Sequence, residues 1–128
     1  MTASYSVSRF GGNCKVKIRG PLSAILVPEV RAALDQQMQR TTVEVVFDLK
    51  EATMLDSSGI GLLIASSNAL TRKGGRLRVI NPAKEIFELL STMRLVSRLH
   101  VQPAIEAARS EEEKLIRESQ EHLSSQAT

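Results

Sequence analysis

Aromatic side chains are scarce in this 128-residue sequence, which contains no Trp, one Tyr and three Phe. Hydrophobic residues still make up 42% of the chain, so its core must be built from aliphatic side chains. Proteins that bind single-stranded nucleic acid interleave aromatic and basic side chains, because bases stack on the rings. No such run occurs here, and this argues against nucleic-acid binding despite a net charge of +3.

Cysteine and histidine are also rare. The single Cys14 excludes an intramolecular disulfide and a cysteine-based zinc site, and its alternating context predicts a small buried hydrophobe. The two histidines, His100 and His122, belong to no cluster of metal ligands. The sequence has no glycine-rich phosphate-binding loop and no dinucleotide-binding motif. It therefore predicts no metal site and no bound cofactor.

Long apolar runs are absent as well, and no stretch approaches the roughly 18 residues that would cross a membrane. The first residues, Met1-Thr2-Ala3-Ser4, have neither the basic nor the apolar region of a secretory leader. We therefore expect a soluble cytoplasmic protein without membrane insertion.

The charge is unevenly distributed along the chain. Residues 1–103 contain 14 Lys and Arg against 8 Asp and Glu, whereas residues 104–128 contain 3 against 6. The length predicts one folded domain. We place this domain at residues 1–108 and expect residues 109–128 to be a polar, acidic C-terminal helical extension or tail.

The start of the chain predicts a β-hairpin. Residues 4–10 and 14–19 alternate between apolar and polar side chains, and Gly11-Gly12-Asn13 between them is typical of a tight turn. Gly20-Pro21 is expected to end the second strand. Apolar residues then recur at helical spacing and predict a helix over about 24–39.

The middle of the chain predicts a strand followed by a long helix. Residues 43–49 are β-branched and nearly apolar, as in a central strand covered on both faces. The strand is expected to end near Leu49, and a short loop to precede a helix over Asp56–Arg72. Lys73-Gly74-Gly75 suits the end of that helix.

The remaining elements complete an alternating order. A strand is predicted at 76–80. A third helix is predicted to follow it, with Asn81 as its cap and Pro82 as its first residue. A short edge strand at Leu99-His100-Val101 and a final helix from Pro103 are predicted after it. This order predicts an α/β fold, a mixed and mostly parallel sheet of about five strands with about four helices packed on it.

The residues with the clearest chemical potential are Asp56-Ser57-Ser58-Gly59, at the start of the long helix. Asp and Ser are favoured N-caps because their oxygens accept free N–H groups of the first helical turn. The same helix end carries a partial positive charge that suits an anion, including a phosphate on a serine. The tetrapeptide alone leaves both a capping role and a functional role open.

In this region the chain resembles the STAS domains, and among them the single-domain anti-sigma factor antagonists. The family has a strand ending in D-L, a D-S-S-G at the following helix and then a G-G-x-L-x-[VL] strand. This sequence has Asp48-Leu49, Asp56-Ser57-Ser58-Gly59 and Gly74-Gly75-Arg76-Leu77-Arg78-Val79. The resemblance covers roughly residues 4 to 108 in order and spacing, and it implies a STAS-like fold.

The resemblance also implies a function, because in these antagonists the first serine of D-S-S-G is phosphorylated by the anti-sigma factor, itself a kinase. Ser57 aligns with that serine. The unphosphorylated form would bind the kinase and free the sigma factor, phosphorylation would end binding, and a serine phosphatase would restore it. ATP and Mg²⁺ would be bound by the kinase. A weak homodimer is a further association that the sequence leaves open. The expected partner-binding residues are Ser23, Asp56, Ser57, Ser58, Gly59, Ile60 and Leu62.

Three of these residues have more specific expectations. Gly59 would keep the corner free of side chain, so that a partner backbone can approach, and Ser58 would serve the helix start. The family often has G-x-L-D after the second strand, whereas this chain has Gly20-Pro21-Leu22-Ser23. Ser23 therefore stands where an Asp is expected, which bears on the identity of the partner.

Two other functions remain open at this point. The chain could be a STAS interaction module with a different partner, such as a secretion or signalling regulator or a lipid-transport ATPase, or a domain whose Ser57 is never modified. A serine hydrolase is disfavoured because Leu55-Asp56-Ser57-Ser58-Gly59 lacks the first glycine of G-x-S-x-G. We therefore expect a binding protein that is a kinase substrate and not an enzyme.

Overall fold

The computed structural model describes residues 3–103, which form five strands and three helices. In chain order these are β1 (Ser4–Phe10), β2 (Asn13–Leu22), α1 (Val27–Gln37), β3 (Glu44–Leu55), α2 (Ser57–Arg72), β4 (Arg76–Ile80), α3 (Lys84–Thr92) and β5 (Val101–Gln102). No helix among them is long and apolar enough to cross a membrane.

The strands form a single sheet in the order β1-β2-β3-β4-β5. β1 and β2 are antiparallel and joined by a turn in which Gly11 has a φ of 56°, a conformation that glycine adopts at little cost. The other neighbouring strands are parallel. The predicted hairpin and the mixed, mostly parallel sheet are thus confirmed.

One face of the sheet packs against the three helices and forms the hydrophobic core. Cys14 is fully buried in this core, as predicted. Each helix contributes an apolar stripe, and together they bury one side of the sheet by the hydrophobic effect. The buried apolar strand residues of this core are Cys14, Val16, Ile18, Leu22, Val45, Phe47, Leu49, Ala52, Leu55, Leu77, Val79 and Val101.

The opposite side of the sheet, here named the open face, carries no helix among residues 3–103. It is lined by Lys15, Lys17, Arg19, Glu44, Val46, Asp48, Glu51, Arg76, Arg78, Ile80 and Gln102. Val46 is buried but lies outside the hydrophobic core. Its paired neighbours across the sheet are Lys15 and Arg78, whose aliphatic stems can cover it. Val45 to Leu49 are all buried, so the expectation that this strand is covered on both faces is confirmed, on the open face by neighbouring side chains.

Two strands are longer than predicted. β2 continues past Gly20-Pro21 to Leu22, and β3 continues past Leu49 to Leu55. The two extensions pair with each other, and the register shifts between Gly20 and Pro21. A proline has no N–H to donate, and such an irregularity in the ladder accommodates it. Pairing between distant segments thus outweighs the local signals that predicted an early end.

The start of α3 also differs from the prediction. The helix begins at Lys84, with Ala83 at the N-cap, so Asn81 is not its cap. Asn81 instead has a φ of 57°, donates its backbone N–H to Gln102 over 2.9 Å and its side-chain amide to Asp48 over 3.4 Å. These bonds hold Asn81 at the end of the sheet, so the helix begins only at Lys84.

The last described elements are shorter than expected. The edge strand β5 comprises Val101 and Gln102, because Leu99 and His100 are bonded within the preceding turns. The helix predicted from Pro103 and the extension predicted at 109–128 lie outside the described residues. The fourth helix and the boundary after residue 108 therefore stay predictions.

The first helix, α1, is also shorter at both ends than the predicted 24–39.

Candidate functional site

The N-terminus of α2 is built around the carboxylate of Asp56, which is the N-cap residue as predicted. Asp56 has an extended backbone, and its Oδ1 accepts the N–H of Gly59 over 2.9 Å. Its backbone carbonyl accepts the first helical hydrogen bond, from Ile60 over 3.0 Å. Asp56 therefore both begins the helix and satisfies one of the free donors of its first turn.

The second oxygen of this carboxylate contacts a different part of the chain. Oδ2 of Asp56 accepts the backbone N–H of Ala24 over 3.0 Å, in the segment that joins β2 to α1. These hydrogen bonds favour the charged form of Asp56 and hold its pKa below the usual range. The N–H of Gly59 contributes most, followed by the N–H of Ala24. The site therefore carries a fixed negative charge at neutral pH, bridging α2 and the β2–α1 segment.

Gly59 has a different role from the predicted one. It is buried, and a Cβ atom at this position would collide with the backbone carbonyl oxygen of Leu22. The close backbone approach that requires glycine therefore comes from the protein's own β2 and not from a partner. The same carbonyl oxygen accepts the N–H of Asp56 over 3.4 Å, which holds the end of β2 against the helix start.

Ser57 is the first residue of α2, and its side chain is exposed. It makes no side-chain hydrogen bond to any residue in the range 3–103, so its hydroxyl is available to solvent or to another protein. Ser58 is half-buried, and its N–H also faces the carboxylate of Asp56. That Ser58 serves the helix start through its side chain stays a prediction.

The other predicted partner-binding residues are less accessible. Ile60 is 8% exposed and Leu62 is 2% exposed, and both belong to the hydrophobic core. Direct contact of these two side chains with a partner does not fit their burial in the core. Ser23 is half-buried, and its carbonyl oxygen accepts the N–H groups of Leu26 and Val27. It lies beside Ala24 and hence close to Asp56.

Two exposed apolar residues near this corner were missed by sequence reasoning. Ile25 is 90% exposed and follows Ala24, whose N–H binds Asp56. Met54 is 43% exposed and lies at the end of β3, two residues before Asp56. The available signal for Ile25 was its position off the apolar stripe of the predicted helix. An apolar side chain off that stripe faces solvent or a partner.

Lys73, Arg76, Arg78 and an open depression lie away from Ser57. Arg76 and Arg78 pair with Glu44, and the Nζ of Lys73 donates to the carbonyl oxygen of Gln39. An open depression of about 470 Å³ is lined by Asn13, Val43, Glu44, Gly74, Gly75 and Arg76, where β3 and β4 begin. Within residues 3–103 no group of three or more His, Cys, Asp or Glu side chains could hold a metal ion.

Comparison with known sequences identifies relatives. The model of the STAS domain family matches residues 4–108. The anti-sigma-B factor antagonist of Staphylococcus aureus is 27% identical over 92 residues, which cover 72% of this chain and 85% of that protein. The protein of the same name from Staphylococcus epidermidis is 28% identical over the same shares of the two chains.

Comparison with solved structures supports the fold. An anti-sigma factor antagonist from Mycobacterium paratuberculosis superposes with a TM-score of 0.69 at 18% identity, covering 85% of this chain and 92% of the other. The Bacillus cell fate determinant SpoIIAA in its phosphorylated form superposes with a TM-score of 0.66 at 18% identity, covering 85% and 98%. With the family match over most of the chain, the protein belongs to the STAS domain family.

Proposed function

We propose that this protein is an anti-sigma factor antagonist whose binding to a kinase-type anti-sigma factor is switched off by phosphorylation of Ser57. The unphosphorylated form binds the anti-sigma factor and releases the sigma factor. The kinase supplies ATP and Mg²⁺, and a serine phosphatase restores the unphosphorylated form. The names of the staphylococcal relatives support this role. The protein acts as a binding module and as a substrate, with no catalytic residue of its own.

One observation carries the proposal: the exposed Ser57 directly follows Asp56, whose carboxylate is ionised, at the start of α2. A phosphate on Ser57 adds about −1.5 to −2 charges. The N–H of Gly59 is already bound by Asp56, and so is the N–H of Ala24. These donors are therefore not free to compensate the phosphate.

The consequence differs between the free protein and the complex. In the free protein, water solvates the two neighbouring anionic groups, so the fold tolerates the modification. In a complex, a partner surface would have to remove that water from both groups. Uncompensated desolvated charge at an interface costs a few kcal/mol, and each 1.4 kcal/mol is about a tenfold change in affinity. Phosphorylation thus ends binding without a change of fold.

The proposed contact surface consists of the exposed groups of this corner. Ser57 lies at its centre, Ile25 and Met54 supply apolar contact, and Gly61 on α2 has open space around it. Ile60 and Leu62 hold α2 in the hydrophobic core and act on binding only through the position of the helix.

The phosphoacceptor is tested by intact-mass spectrometry. The protein is incubated with the histidine-kinase-fold anti-sigma factor of the same organism, ATP and Mg²⁺. We expect one added phosphate in the wild type and in the control Ser58→Ala, and none in Ser57→Ala. A phosphate that persists in Ser57→Ala would assign another site.

The switch is tested separately by measuring affinity. Ser57→Asp should weaken binding to the same anti-sigma factor by at least tenfold, whereas Ser57→Ala should bind nearly as the wild type does. Equal affinity of the wild type and Ser57→Asp, together with no phosphorylation, would favour a STAS module with another partner that phosphorylation does not regulate.

A further inference from the structure

We propose that the open face of the sheet is a docking surface for the chain's own acidic C-terminal segment, residues 109–128. These residues lie outside the range that the STAS family model matches, which ends at residue 108. The proposal is independent of phosphorylation at Ser57, because it concerns the opposite side of the sheet from the helices.

The first observation is a shortage of negative charge on the open face. Glu44 accepts hydrogen bonds from two guanidinium groups, those of Arg76 over 2.8 Å and Arg78 over 3.3 Å. The Glu44 side chain is only 14% exposed, so this carboxylate lies under the two arginines. One negative charge is therefore shared by two positive charges that no other carboxylate of residues 3–103 pairs with.

The same arrangement recurs on the other side of the face. Glu51 lies 3.3 Å from Lys17 and 3.3 Å from Arg19. Asp48 pairs with Lys15 at 3.7 Å. Across the described part of the sheet, the ion pairs thus join five cations to three carboxylates. Cations shared in this way remain attractive to a further anionic group, since surface pairs of this kind are only weakly satisfied.

The C-terminal segment supplies the complementary charge. It contains Glu111-Glu112-Glu113 and, with residues 104–108, has 6 acidic against 3 basic side chains. The described part of the chain is basic overall. Because the segment is covalently attached, its effective concentration at the open face is high, on the order of millimolar for a short flexible connection. An acidic segment of the same chain therefore has an advantage over a separate acidic protein.

The point where the chain leaves the sheet makes this contact feasible. Gln102 ends β5 and lies in one row with Ile80, Asp48 and Lys17 of the open face. Neighbouring strands are spaced by roughly 4.8 Å, so Lys17 lies about 14 Å from Gln102 across the sheet. The nine residues that follow Gln102 span about 14 Å as a helix and about 30 Å when extended. Both conformations bring Glu111 within reach of Lys17.

Zero-length cross-linking with a carbodiimide tests the contact, since it forms an amide bond only between a carboxylate and an amine in contact. Applied to the full chain at low salt, it should join Lys15 or Lys17 to the Glu111-Glu112-Glu113 run within the monomer fraction. The Lys17–Glu51 pair at 3.3 Å serves as the internal positive control. These cross-links should decline in about 0.5 M salt because screening weakens the attraction.

A pair of matched variants gives a second readout. Removing two charges with Glu111→Gln and Glu112→Gln should raise the acetylation rate of the Lys15 and Lys17 amines at least twofold. Removing two charges with Glu85→Gln and Glu88→Gln, which are exposed on α3 on the other side of the sheet, should leave that rate within the error of the wild type. Cross-links found only in a dimer fraction would assign the face to a second copy. Equal acetylation in the wild type and the first variant would also overturn the proposal.

Discussion

The backbone carbonyl oxygen of Leu22 lies directly against Gly59, at the place where any other residue would carry its Cβ atom. This contact joins the end of β2 to the start of α2. It also positions the β2–α1 segment, because Ala24, two residues beyond Leu22, donates its N–H to Asp56. The candidate site is therefore rigidly attached to the sheet through backbone contacts.

Replacing this glycine should be costly. We expect Gly59→Ala to lower the free energy of unfolding by about 1–3 kcal/mol, because the added methyl group forces the backbone of Leu22 away. Gly61→Ala is the matched control, since a Cβ atom there meets no atom within 4 Å. That change should raise the free energy of unfolding by about 0.5–1 kcal/mol, the helix preference of Ala over Gly. Urea unfolding measures the free energy of unfolding of both variants. Similar changes in Gly59→Ala and Gly61→Ala would contradict the contact between Gly59 and the Leu22 carbonyl.

The carboxylate of Asp56 should make stability depend on pH. Its folded-state pKa is lowered by N–H donors from Gly59 and Ala24. Its contribution to stability is therefore fully present above the unfolded-state pKa of about 3.9 and is lost as the pH falls through the lower folded-state value. The difference in free energy of unfolding between the wild type and Asp56→Asn should shrink as the pH falls below about 4. A difference constant from about pH 2 to 7 would contradict this.

The exposed Ile25 should matter for binding but not for stability. Its side chain is 90% exposed, so Ile25→Ala should change the free energy of unfolding by less than about 0.5 kcal/mol. If Ile25 is an apolar anchor of the proposed interface, the same change should weaken binding to the anti-sigma factor by about tenfold, near 1.4 kcal/mol. Titration calorimetry measures the affinity. The control is Phe10→Ala, which alters a 60% exposed apolar residue at the tip of the β1–β2 hairpin. Equal losses of affinity in Ile25→Ala and Phe10→Ala would contradict the role of Ile25 as an anchor.

The thiol of Cys14 should be unreactive in the native protein. Burial raises its pKa, although Arg9 and the hydroxyl of Thr42 act in the opposite direction. The side chain is fully buried, so a thiol reagent should modify it at the rate at which the protein opens. Modification should therefore accelerate in step with unfolding across a urea titration. Rapid modification of the folded protein would show that the β2 core position is accessible.

The elements of the fold were largely predictable from local patterns. The alternation in residues 4–19 predicted the hairpin, and Asp56 predicted the start of α2, because period-two patterning and N-cap chemistry are properties of short segments. The family resemblance rested on the same short segments, since Asp56-Ser57-Ser58-Gly59 lies between the strand and the helix that it joins. It supplied the functional hypothesis for Ser57, which local chemistry alone left open.

Only the tertiary structure decided which of these residues are accessible to a partner. α2 is apolar on more than one side, so the pattern alone did not separate buried Ile60 and Leu62 from exposed positions. The role of Gly59 depends on Leu22, 37 positions earlier in the chain, and no local signal reports such an approach. Likewise Asn81 has the sequence of a helix cap, but hydrogen bonds to Gln102 and Asp48 hold it at the sheet. The sequence by itself determined the order and type of the elements, whereas long-range backbone packing determined their ends and the surface that they expose.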